Sequence, residues 1–134
     1  MPNETWAGPL RRAIGRGALW CFWPALLVVT WGELTPHVPD AISELLSWDK
    51  AQHFIAYFGL TGLAMLVWGG RRPALLLLAA MLAVGGGLEI LQSFVGRDAE
   101  WSDMAANTLG ALTGAVLALG FLRLVTLVDA RRRH

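Results

Sequence analysis

Charge is scarce in this chain. Only 16% of its 134 residues are charged while 55% are hydrophobic, and no internal repeat, low-complexity tract or soluble appended domain interrupts it. Cysteine is nearly absent: Cys21 stands alone inside an apolar run, which excludes an intramolecular disulfide and a thiolate zinc set and says nothing about redox compartment. One tyrosine stands against seven tryptophans, a ratio suited to membrane interfaces. No Ala-x-Ala-like cleavage site follows the first apolar run, so that run reads as an uncleaved span rather than a signal peptide. Phosphatase, protease and acyltransferase motifs are lacking as well, and no nucleic-acid partner is expected.

What remains is a set of apolar runs, each near the ~20 residues needed to cross a bilayer core. The sequence predicts an all-α membrane protein, a bundle of four transmembrane helices over about 17–34, 52–69, 73–94 and 103–122. Together these form one membrane domain, 17–128, between an N-terminal segment 1–16 and a basic tail 129–134. Pro24 is expected to kink the first span. Pro36 and Pro39 stop it, and Asp40 to Ser47 reads as a short amphipathic helix lying on the surface, with Trp48 at the interface. Beyond Leu122 an interfacial helix is expected to continue to the tail.

The net charge of +1 hides a strong asymmetry. Arg11, Arg12, Arg16, Arg71, Arg72, Arg123, Arg131, Arg132 and Arg133 fall on one side of the predicted spans, and only Lys50 and Arg97 on the other. Both termini are therefore expected in the cytoplasm. The opposite face, with Glu33, Asp40, Glu44, Asp49, Asp98, Glu100 and Asp103 at or near its surface, is expected to be external, in a bacterial cytoplasmic membrane.

The polar residues that matter most lie at that outer depth. In Asp49-Lys50-Ala51-Gln52-His53-Phe54-Ile55-Ala56-Tyr57 a polar cluster runs directly into an apolar span, and on a helix Lys50, His53 and Tyr57 share one face. Glu89 and Gln92 sit near the end of the third run, and Asp103 and Asn107 open the fourth. An ionisable group inside a span costs a few kcal/mol unless paired or facing a polar cavity, so Glu89 needs partners such as His53, Lys50 or Asn107. The three stretches are expected to converge on one site of Asp49, Lys50, His53, Tyr57, Glu89, Gln92, Arg97, Asp103 and Asn107. A polar clasp that only fixes helix register would use the same residues. His53, Glu89 and Asp103 are candidates for acid or base chemistry, none of them assigned a catalytic role. They are also metal-binding residue types, but their spacing matches no metal motif, and neither a metal nor a cofactor is expected.

Glycine is the other signal. Gly85-Gly86-Gly87 is expected to serve close helix packing, and Asn107, Gly110 and Gly114 form a stripe grading from polar to small.

With these residues in view, the chain resembles the VanZ-like family of small bacterial membrane proteins. The pattern is Asp49-Lys50-x-x-His53-Phe54-x-x-Tyr57-x-x-Leu60, Glu89-x-x-Gln92, Arg97 and Asp103-x-x-x-Asn107-x-x-Gly110, covering about Glu33 to Gly114. The resemblance implies a four-span protein whose name-giving member is linked to teicoplanin resistance, and it implies no particular reaction. Three functions compete at this point: recognition of an anionic lipid or lipid-linked wall precursor through Lys50, Arg97 and His53; an intramembrane enzyme acting on a phosphate-bearing lipid; and a structural scaffold for an envelope protein or a homo-oligomer, using Gly110 and Gly114.

Overall fold

In a computed structural model the described residues are 8–35, 49–69, 74–95 and 100–132. Among them run four helices: α1 (Pro9–Leu34), α2 (Asp49–Trp68), α3 (Ala74–Gln92) and α4 (Trp101–Arg131). All four are long and apolar enough to cross a membrane, which makes this an all-α, multi-pass membrane protein. The amphipathic segment Asp40 to Ser47 and the Gly70 to Pro73 turn lie outside the described residues.

The chain runs up and down, so α1 lies parallel to α3 and α2 parallel to α4. The α2–α4 interface is the most extensive in the bundle. Its cause is the glycine stripe. A side chain at Gly110 would collide with the backbone carbonyl of Phe54, and one at Gly114 with that of Phe58. In lipid, apolar faces gain little by meeting one another, and close backbone approach is what binds helices. Gly85 plays a related part on α3, where the Tyr57 ring lies 3.0 Å from the position a Cβ would take.

Around this contact the apolar core forms two clusters. Phe22, Leu60, Ala64 and Met81 join α1, α2 and α3, while Met65, Ala115 and Ala118 join α2 and α4. Phe22 meets Trp68 edge to face, ring centroids 5.1 Å apart. Trp20, Leu27, Leu75 and Val116 face outward, as lipid requires.

Two helix limits differ from the sequence expectation, for one reason. Helix α1 starts at Pro9 instead of about residue 17, and α4 runs unbroken to Arg131 instead of changing to an interfacial helix near Leu122. At ~1.5 Å per residue α4 is roughly 46 Å long, more than a hydrocarbon core of ~30 Å. Its surplus end has a structural use. Gly8, the N-cap of α1, has no side chain with which to cap, and the buried Asp129 of α4 supplies the carboxylate, accepting from the amides of Leu10 (3.3 Å) and Arg11 (3.0 Å). The Arg11 guanidinium in turn donates to Leu66 O at 2.8 Å, in the last turn of α2. Asp129→Ala is expected to lower stability by about 1–2 kcal/mol, with Asp129→Asn intermediate. Thermal unfolding in detergent micelles tests this, and an unchanged midpoint for Asp129→Ala would remove the cap from the account.

Candidate functional site

The opposite end of the bundle is polar, and the packing above dictates why. Seating Gly110 and Gly114 on the backbone of α2 fixes the register of α4. One turn before Gly110 comes Asn107, and one further turn back comes Asp103, which bring these side chains beside His53 and Lys50. On α3, Glu89 lies one turn beyond Gly85 and so enters on the side of Tyr57.

His53 is the hub. It is 5% exposed, and its Nδ1 lies 3.1 Å from Asn107 Oδ1. Asn107 Nδ2 donates to Glu89 Oε1 at 3.4 Å, which turns the amide oxygen toward the ring, so Nδ1–H of His53 donates to it. Carboxylates surround the imidazole on both sides: Glu33 Oε1 at 3.7 Å and Glu89 Oε1 at 3.9 Å from Nδ1, and Asp103 Oδ2 at 3.7 Å from Nε2. Glu33, Glu89 and Asp103 are 7%, 2% and 4% exposed. Tyr57 OH donates to Glu33 Oε2 at 3.4 Å, and Gln92 Nε2 to Glu33 O at 3.2 Å, satisfying a carbonyl in the last turn of α1.

The rim is different in character. Lys50 is 59% exposed, with its ammonium 3.4 Å from Glu100 Oε2 and 3.9 Å from Asp103 Oδ1. Glu100 also accepts from Ser102 Oγ at 2.8 Å. The Ser102 hydroxyl first, and then Lys50, hold the Glu100 carboxyl below the usual carboxylate range. Trp101, beside this pair, is strongly exposed.

The structure thus brings together Lys50, His53, Tyr57, Glu89, Gln92, Asp103 and Asn107 from the three stretches singled out in the sequence. Asp49 opens α2, but its side chain, like the whole of Arg97, lies outside the described residues. Glu33 corrects the sequence reading. It was placed at or near the outer surface and left out of the site, and it is buried beside His53, accepting from Tyr57. Its signal was present, because an acid at the end of an apolar run raises the same question as Glu89. Asp129 gave less warning, standing just before a run of arginines.

Chemically, the centre is an imidazole of fixed ring orientation among three carboxylates from three other helices. Such a group can exchange protons with a ligand at the rim, or share a cation. One nitrogen of His53 and one oxygen each of Glu89 and Asp103 lie within 4.8 Å of one another, a separation that a single metal ion can span. Linear spacing does not report on a ligand set assembled from three helices.

Comparison with curated proteins and with solved structures gives no match. A protein-family model described as VanZ/LLP1 matches residues 16–124, a stretch that takes in α2, α3, most of α1 and the site-bearing part of α4.

Proposed function

The chain belongs to the VanZ/LLP1 family, and from that premise we propose that the rim of its polar centre recognises the phosphate of an envelope lipid or lipid-linked wall precursor. The site faces outward across the bacterial cytoplasmic membrane. The observation that carries this reading is Lys50, an exposed cation at the mouth of a buried polar centre, beside the exposed Trp101. An exposed pair such as Lys50–Glu100 is weak, being solvated and costly in side-chain entropy, so a phosphate can take the place of Glu100. The arginines support this orientation: Arg11, Arg12 and Arg16 on α1, and Arg123, Arg131 and Arg132 toward the end of α4, gather at the far end of the bundle, as the positive-inside rule expects of a cytoplasmic side. The carboxylates around His53 make that ring an unsuitable direct phosphate contact. Lys50 takes that role, with His53 behind it.

Native mass spectrometry of protein purified with its co-extracted lipids tests the proposal. Wild type is expected to retain a phosphate-bearing lipid and Lys50→Ala to lose it about tenfold, as for one charge-assisted hydrogen bond of ~1.4 kcal/mol. Equal retention by both proteins would sink it. A catalytic reading is favoured by one observation, the Asn107 bond that fixes the His53 ring as an acid or base must be fixed. Turnover of the lipid by wild type and not by His53→Ala would establish it. If neither protein carried a preferred lipid, a scaffold role would take first place.

A further inference from the structure

We infer that the buried centre is a binding site for one divalent transition-metal ion of the zinc or manganese kind, ligated by His53, Glu89 and Asp103. The inference deepens the lipid reading and rests on it for its biological meaning, but the geometry of the ligands stands on its own.

The ligand set comes from three helices, and every member is buried. Around an ion with ligand bonds of ~2.1 Å, tetrahedral ligand atoms stand roughly 3.4 Å apart. His53 Nε2 stands 3.7 Å from Asp103 Oδ2, and with one oxygen of Glu89 the ligand atoms all lie within 4.8 Å of one another, wider than that ideal by up to about 1.4 Å. Rotation of the Glu89 and Asp103 side chains toward Nε2 is what an ion would require. The imidazole is also prepared. Its Nδ1–H is directed to Asn107 Oδ1 at 3.1 Å, the outer-shell arrangement that fixes the tautomer of a metal-bound histidine, whose other nitrogen is the ligand. That nitrogen, Nε2, faces the Asp103 carboxylate. A neutral Nε2 and a carboxylate oxygen both present lone pairs, so the space between them suits a proton or a metal ion.

The donor types narrow the choice of ion. Imidazole favours zinc, iron, nickel and copper over magnesium and calcium, and a majority of carboxylates shifts the preference toward zinc or manganese over copper. An ion here would also give the rim a use for its depth. Two positive charges set among three carboxylates offset most of their negative charge and so reduce the repulsion that a phosphate held by Lys50 would meet.

The test uses full-length wild type in detergent, stripped with chelator and titrated with Zn²⁺ and separately Mn²⁺ in excess Mg²⁺. The expected result is one Zn²⁺ per chain retained through gel filtration, with X-ray absorption showing one imidazole and otherwise oxygen ligands. This spectroscopic arm needs no variant and survives any folding defect. In addition, Asp103→Asn protein that remains monodisperse should bind Zn²⁺ at least tenfold more weakly. Substoichiometric uptake by wild type, a coordination shell without imidazole, or equal affinity in Asp103→Asn would each overturn the assignment. Lipid retention is measured on the same preparations. An ion bound with no lipid retained removes the lipid reading and keeps the metal centre, whereas lipid retained with no ion removes the metal centre alone.

Discussion

A His53→Ala protein is expected to be less stable than wild type by about 3–5 kcal/mol, the hole left by a buried ring adding to the cost of leaving its buried polar neighbours without their partner. The size follows from the surroundings. Glu33, Glu89 and Asp103 approach the ring within 4 Å, all are buried, and Asn107 loses the donor that its amide oxygen accepts. Unfolding in detergent micelles measures the loss. A second substitution separates electrostatics from the hole left by the ring. Asp103→Asn removes one of the facing charges, so the double variant should cost less than the two single changes together, by about 1–3 kcal/mol of coupling. Simple additivity would show that the ring acts by filling space.

Gly110→Leu should be as damaging for a different reason. The obstacle is backbone: the carbonyl of Phe54 stands where the first side-chain carbon would go, and a helix backbone cannot rotate out of the way as a side chain can. Separating α4 from α2 also draws Asn107 and Asp103 away from His53. We expect about 3 kcal/mol or more, the upper part of the overpacking range, and a large loss of folded yield. Leu76→Ala removes a bigger side chain but one directed to lipid, and a change within about 0.5 kcal/mol is expected. Equal shifts in thermal midpoint for Gly110→Leu and Leu76→Ala would mean that small residues do not specify the bundle.

The contrast between these positions shows what the amino-acid sequence reveals. Spans were legible because length and hydropathy suffice for a segment that must satisfy its own backbone in lipid. Glu89 was legible because an acid in an apolar run demands an explanation, and the Asn107–Gly110–Gly114 stripe because its helical spacing is local. The ends of α1 and α4 were not. Arg11 and Arg12 look like solvated flanking charge, and only the meeting of Leu10 and Arg11 with Asp129, more than a hundred residues away, shows that the helices extend past the apolar runs. Glu33 was misplaced on similar grounds, since its partners Tyr57 and Gln92 lie on α2 and α3.

The parallel pairing of α2 with α4 also sets an order of events during synthesis. Consecutive hairpins can close as soon as their second helix enters the bilayer, but α2 must wait through the whole of α3 before its main partner emerges. Until then His53 lacks Asn107 and Asp103, and Glu89 lies in the bilayer without the Asn107 amide. The first turn of α1 waits longest, because Asp129 lies near the far end of α4. The nascent chain therefore passes through a stage with three helices inserted and its polar residues incompletely matched, a stage at which membrane quality-control proteases would find it.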